Sequence, residues 1–127
     1  MMVDIDRIPT NADAVIRVYR NRCVISARAY SILGLSATQN RVRIRQDMEQ
    51  YERGGRVRIY IGRSNSPAVG YLVKKRRNVG QINSTRLCTR LANILDGYGT
   101  YRICEEVSVT ENNETNFEIF FKKYDQL

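Results

Sequence analysis

Arginine is the residue type in this sequence whose chemistry is most informative about function. Lys and Arg make up 21 of the 127 residues, and 17 of these 21 are Arg. The guanidinium group is planar and permanently charged, so it suits phosphates and the edges of bases. Histidine is absent, which removes the usual general base and the commonest metal ligand. The composition therefore favours the binding of a polyanion over catalysis.

Two segments, 41–45 and 56–61, alternate arginine with aliphatic residues. Side chains alternate across a strand, so each segment would place its arginines on one face and its aliphatic residues in the core. If the two strands pair as a hairpin, up to five arginines crowd one surface, and like charges destabilise a sheet. A polyanion would neutralise them. The alternative is pairing with acids of the same or a neighbouring chain, such as Glu105, Glu106 and Glu118.

Two shorter basic clusters lie at 17–22 and at 74–77. Arginines on strands are expected to read base edges in a DNA groove, whereas the 74–77 run is expected to grip phosphates. Tyr19, Tyr60 and Tyr71 could stack on the bases of a single strand, although tyrosines in strands commonly pack half-buried. The candidate nucleic-acid ligands are Arg17, Arg20, Arg22, Arg41, Arg43, Arg45, Arg56, Arg58, Lys74, Lys75, Arg76 and Arg77.

The other reactive residue types form no catalytic or metal-binding pattern. Cys23, Cys88 and Cys104 lack CxxC spacing, which argues against a zinc site and against a disulfide framework. They lie in or beside apolar stretches, as buried cysteines do. The acidic residues have no base or nucleophile beside them in the sequence. We therefore predict a non-enzymatic protein with no catalytic residue, metal or cofactor.

The elements that must position these residues occur twice in the same order. Alternating and branched residues predict the strands, while Ser26, and Ser84 or Thr85, are expected to cap the helices. Gly34 and Gly97 are expected to end them. The first half is predicted to contain strands 15–19, 23–25, 41–45 and 56–61, with a helix over 27–33. The second half is predicted to contain strands 71–73, 78–82, 101–104 and 117–121, with a helix before Gly97 and a polar loop over 109–116.

Each unit of roughly 50 residues is too small to bury a core alone. We therefore predict a β-rich α+β fold in which two β-β-α-β-β repeats interleave as an intrachain pseudo-dimer. The predicted divisions are an N-terminal extension at 1–14, a first repeat at 15–62, a linker at 63–68 and a second, degenerate repeat at 69–124. Both repeats would share one core.

The first unit also resembles a known family. The segment 18–26, the helix end Leu33-Gly34-Leu35 and the strand Val42-Arg43-Ile44 are similar to the AbrB/MazE-like (SpoVT-AbrB) pattern. The match covers residues 15–61 clearly and 71–121 loosely, and Ser26 stands where the family usually has Pro. The resemblance implies a swapped-hairpin, barrel-like, DNA-binding fold, duplicated here within one chain. By position, its implied DNA contacts are Arg20, Arg22, Arg41, Arg43 and Arg45.

The charge is divided unevenly along the chain. Residues 1–77 contain 16 Lys and Arg against 6 Asp and Glu, a net +10, whereas residues 78–127 contain 5 against 7, a net −2. The acidic half could pair with the basic half of another copy, which makes a homo-oligomer a further expectation. No signal peptide and no apolar run of about 20 residues is recognisable, so we expect a cytoplasmic protein without membrane contact.

Three functions are compatible with these features. The first is a double-stranded DNA-binding transcriptional regulator that uses the Arg-rich hairpin face. The second is a structural or assembly protein of a phage or mobile element, with a basic interaction face. The third is a single-stranded nucleic-acid binder. None of the three takes a small-molecule substrate.

Overall fold

A computed structural model describes residues 13–48 and 57–123. Most of the predicted N-terminal extension, and Arg56 among the candidate ligands, lie outside these residues. The described helices and strands are β1 (Val15–Val18), β2 (Cys23–Ile25), α1 (Ala27–Ile32), β3 (Arg41–Gln46), β4 (Ile59–Arg63), β5 (Tyr71–Leu72), β6 (Lys74–Arg76), β7 (Val79–Ile82), α2 (Thr85–Ile94), β8 (Gly99–Glu111) and β9 (Glu114–Lys123).

All nine described strands form one antiparallel sheet in the order β5-β3-β4-β9-β8-β1-β2-β7-β6. The two edge strands, β5 and β6, are separated in the chain by Val73 alone. The backbone N–H of Val73 donates to the carbonyl of Asn40 at 2.7 Å, which holds this junction against the segment before β3. The sheet is therefore nearly closed into a barrel, which confirms the predicted β-rich, barrel-like form.

The inward side of the barrel is the hydrophobic core. Ile16, Val42, Ile61 and Tyr101 are completely buried, and Val42 and Tyr101 alternate with polar neighbours along their strands. Core side chains pack closely against Gly80 of β7. A Cβ atom there would lie 2.7 Å from side-chain carbons of both Ile25 and Val73, so only glycine fits between them.

The helices begin where the sequence predicts. Ser26 and Ser84 are the N-caps, and the side-chain oxygen of each accepts a backbone N–H from the first turn. Ser26 also accepts the N–H of Val15, so its hydroxyl ties the start of α1 to β1. Gly34 has φ of +67°, the left-handed conformation expected after the end of α1.

The predicted polar loop over 109–116 is wrong. β8 runs to Glu111 and β9 begins at Glu114, so only Asn112 and Asn113 form the turn. Both asparagines have positive φ, at 52° and 64°, as a two-residue hairpin turn requires. The error arose because residues 110–116 are all polar, including the buried Glu114 and Asn116, so this hairpin lacks the hydrophobic alternation that marks a strand.

Candidate nucleic-acid interface

Arg43 and Arg45 of β3, and Arg58 just before β4, lie on the outward side of the sheet beside acids from β8 and β9. β3 and β4 pair as a hairpin, as expected, with Arg45 opposite Tyr60 and Arg43 opposite Gly62. On the next strand, β9, Glu118 lies opposite Tyr60. We call this region the paired face, and it comprises Arg43, Arg45, Arg58, Glu111, Glu114 and Glu118.

Each of the six residues of the paired face takes part in an ion pair. Arg43 Nη1 lies 3.2 Å from Glu114 Oε1. The guanidinium of Arg45 lies 3.5 Å from Glu111 and 3.8 Å from Glu114. Arg58 lies 3.9 Å from Glu118. The three positive and three negative charges balance, so the arginines of this face are neutralised within the molecule.

Glu114 is the centre of this network. Its side chain is 8% exposed, and its carboxylate accepts the backbone N–H of Asn65 at 2.7 Å. That hydrogen bond, followed by the charges of Arg43 and Arg45, lowers the pKa of Glu114 below its ordinary value, against the opposing effect of burial. Glu114 therefore remains ionised and holds both arginines in place.

The alternative of acid pairing within the chain is thus correct for Arg58 and Glu118. Glu105 instead contacts Arg28 of α1 at 2.7 Å, and Glu106 is exposed. The sequence interpretation missed Glu111 and Glu114 because it placed them in a loop. The available signal was the period-two spacing of Glu114, Asn116 and Glu118, which continues the alternation of the strand predicted from Phe117 onward.

The remaining candidates on β3 and β4 also have local surroundings that limit their availability. Arg41 donates a hydrogen bond to the carbonyl of Gly70 at 2.9 Å. Tyr60, which was expected to be able to stack on bases, is buried at 9% exposure. Tyr71 is half-buried, whereas Tyr19 is exposed at 42%. Of the three tyrosines, Tyr19 is the one most accessible to a ligand.

A second basic surface covers the outward side of β1, β2, β7 and β6. Arg17 lies opposite Val24, Val24 opposite Gln81, and Gln81 opposite Lys74, so these side chains form one row across four neighbouring strands. Arg76, opposite Val79, lies in the next row. We call this region the open face, and its cations are Arg17, Arg22, Lys74 and Arg76.

The open face differs from the paired face in its lack of acids. None of the four strands that form it contains Asp or Glu, and neither do the turns of its two hairpins. Among the residues that the structure describes, none of its four cations forms an ion pair. The four positive charges therefore have no ion-pair partner within residues 13–48 and 57–123.

The other candidates of these hairpins lie at their turns or point elsewhere. The guanidinium of Arg20 lies over the ring of Tyr98 at 5.3 Å, whereas that of Arg22, which belongs to the open face, lies over Tyr19 at 4.8 Å. Arg77 is exposed in the turn between β6 and β7, with φ of +56°. Lys75 pairs with the inward-facing Gly80, and its ammonium lies 5.5 Å from the ring of Tyr30.

The sequence interpretation also missed Arg102 of β8. It lies opposite Val15, is exposed, and continues the second row of the open face onto a fifth strand. Its position between the buried residues Tyr101 and Ile103 was the signal for an outward side chain.

The cysteines contribute to the core. Cys23 and Cys88 are completely buried, with their Sγ atoms 3.4 Å apart, and Cys104 is half-buried. Burial is the main reason that the pKa of the Cys23 thiol is raised, so this sulfur stays protonated. Within residues 13–48 and 57–123, no group of three or more Cys, Asp or Glu side chains is arranged to hold a metal ion.

Comparison with protein-family models, with curated proteins and with solved structures gives no match. The resemblance to AbrB/MazE-like proteins therefore stays a prediction from the sequence. No helix in the described part of the chain is long and apolar enough to cross a membrane.

Proposed function

We propose that this protein is a non-enzymatic nucleic-acid-binding protein that holds double-stranded DNA on its open face. The observation that carries the proposal is the set of four outward cations, three on neighbouring strands and one in the β1–β2 turn, in a region whose strands and turns contain no acid. Clustered like charges repel one another, and a polyanion would relieve that repulsion while releasing its own counterions.

The spacing of the open face suits a duplex. Arg17 and Lys74 are three strand spacings apart, about 14 Å at 4.7–4.9 Å per strand. This separation is close to the roughly 12 Å width of the major groove, so the two side chains can reach the phosphates on its two sides. Gln81 lies between them, and its side-chain amide contacts that of Asn83. Amides in this position can read adenine edges.

We also propose that the two halves of the chain are interleaved β-β-α-β-β repeats. The pairing pattern supports this. In the two repeats, β5 and β6 together correspond to β1, and β8 corresponds to β3. If each strand is replaced by its counterpart in the other repeat, the β1–β8 pair becomes the β5–β3 pair, which the sheet also contains. The same exchange leaves the β2–β7 and β4–β9 pairs unchanged. In this arrangement each repeat supplies half of the open face. Dimeric DNA-binding regulators also divide their DNA contacts between two related units, which supports the same role for this pseudo-dimer.

Salt-dependent binding to a labelled 20-base-pair duplex tests the proposed function. The logarithm of the binding constant should fall with the logarithm of salt concentration by about 0.9 for each phosphate contact. The variant Lys74→Gln with Arg76→Gln should lose two contacts, lower the slope by about 1.8 and weaken binding roughly 60-fold at 0.1 M salt.

The matched control is Arg86→Gln with Arg90→Gln. These two arginines are exposed on α2, away from the open face, and their replacement changes the net charge equally. Equal losses of affinity in the two variants would refute a role for the open face. No binding of the wild type at low salt would refute nucleic-acid binding and leave an acidic protein as the partner of this surface.

A further inference from the structure

A cleft of about 400 Å³ opens beside the open face, where β1 ends and β8 begins. Its walls include Arg17, Tyr19 and Arg20 on one side, and Tyr98 and Thr100 on the other. The volume falls within the range of roughly 300–1,000 Å³ that small-molecule sites occupy. The cleft is therefore large enough for a single nucleotide.

The strand register brings the two tyrosines of the cleft together. Val18 lies opposite Gly99 at the end of the β1–β8 pairing. Tyr19 and Tyr98 are the next residues on the two chain segments and both line the cleft, with Tyr98 also packing partly against the core. The exposure of Tyr19, at 42%, leaves an unusually large aromatic surface in contact with water. Such a ring is suited to stacking against another planar group.

Arginine accompanies both rings. Arg20 lies over Tyr98, and Arg22 lies over Tyr19 on the open face. Arg17 lines the cleft from the strand, and Thr100, opposite it on β8, adds a hydroxyl. None of the described residues that line the cleft is acidic. Aromatic planes beside guanidinium groups match a ligand with a planar base and a negatively charged phosphate.

We propose that the cleft binds one unpaired nucleotide of the nucleic acid held on the open face. Its base stacks against Tyr19 and Tyr98, and its phosphate lies at Arg17 and Arg20. This inference rests on the proposed function, because the cleft shares Arg17 with the open face and would receive a nucleotide from the same chain.

The test compares two duplexes in the same fluorescence-anisotropy assay. One is a fully paired 20-base-pair duplex, and the other carries a single unpaired thymidine at its centre. Stacking of one base on an aromatic side chain should make the wild type bind the second duplex about 5- to 150-fold more tightly. In Tyr98→Leu this preference should fall to less than about twofold, while binding to the paired duplex changes little.

Tyr19→Leu is the second variant, because Tyr19 is exposed and its replacement should leave folding intact even if Tyr98→Leu unfolds. Phe120→Leu is the matched control, since it removes another exposed aromatic ring outside the cleft and should keep the preference. Thymidine monophosphate, added as a free competitor, distinguishes a free nucleotide from one within a chain.

Equal binding of the two duplexes by the wild type overturns the cleft inference and leaves the proposed function standing. A preference that survives in both tyrosine variants overturns it too. If the free nucleotide binds and the unpaired thymidine gives no preference, the ligand is not part of a nucleic-acid chain and the inference fails. No binding to either duplex at low salt overturns both proposals.

Discussion

Two basic regions of this barrel have opposite electrostatic surroundings. On the paired face, Arg43, Arg45 and Arg58 lie within 4 Å of carboxylates from β8 and β9. On the open face, Arg17 and Lys74 lie on strands that contain no acid, and their cross-strand partners Val24, Thr100 and Gln81 are uncharged. Both regions show alternating basic residues in the sequence. What separates them is which strands the fold places next to them.

The comparison shows that a cluster of arginines is not by itself a binding surface. An arginine that already contacts carboxylates must break these contacts before it can bind phosphate, and the carboxylates also repel the incoming anion. A cation without an acidic neighbour has neither obstacle. We therefore expect the open face to attract a polyanion more strongly than the paired face, although the paired face contains the more regular arginine pattern.

The largest expected effect comes from removing all four open-face cations. Replacing Arg17, Arg22, Lys74 and Arg76 by Gln should weaken duplex binding by more than about 1,000-fold at 0.1 M salt, because four phosphate contacts disappear. These side chains form no ion pair among the described residues, so the thermal unfolding midpoint should change little. Anisotropy and calorimetry measure the two quantities. A large loss of stability with little change in affinity would show that these four cations stabilise the fold and do not bind DNA, contrary to the proposal.

The paired face should show the opposite behaviour. Glu114→Gln removes the carboxylate that joins Arg43, Arg45 and the N–H of Asn65, and should lower the free energy of unfolding by about 1–3 kcal/mol. Chemical denaturation measures this change. Binding of the folded protein to duplex DNA should not weaken, since a negative charge has been removed away from the open face. An unchanged free energy of unfolding would show that the contacts of Glu114 do not stabilise the fold.

The pH dependence of stability gives a smaller effect from the same residue. The pKa of Glu114 is lower in the folded protein than its ordinary value of 4.5. Its stabilising contribution is therefore complete above that ordinary value, and it is lost as the pH falls through the lower pKa of the folded state. Unfolding midpoints recorded from pH 7 to pH 3 should decline more steeply for the wild type than for Glu114→Gln. Parallel curves would contradict this role for Glu114.

The smallest effect is expected at the ion pair between Arg28 and Glu105. Their side chains are 48% and 34% exposed, so water screens the 2.7 Å contact. Arg28→Gln should change the free energy of unfolding by less than about 0.5 kcal/mol, as measured by the same denaturation experiment. A loss as large as that of Glu114→Gln would mean that burial is not the reason for the contribution of the paired-face contacts to the free energy of unfolding.

Much of the local structure was predictable from the sequence. The serine caps, the glycine after α1, and the β3–β4 hairpin with Val42 and Ile61 in the core all follow from short-range rules. The β8–β9 hairpin was not predicted, because its polar positions obscured the strand pattern. That error hid Glu111 and Glu114, and with them the neutralisation of the arginines on β3.

The sequence by itself determined that this chain is basic, β-rich and histidine-free, and that its arginines alternate with core residues. It also determined which side chains of each strand face outward, because the alternation of side chains along a strand depends only on the order of adjacent residues. Only the tertiary structure decided which arginines have acidic neighbours. Strand order brings Glu114 and Glu118 beside β4 across more than 50 residues of chain, and places β7 beside β2 with no acid on either. Electrostatic contacts depend on distance in space, which the order of residues along the chain does not specify.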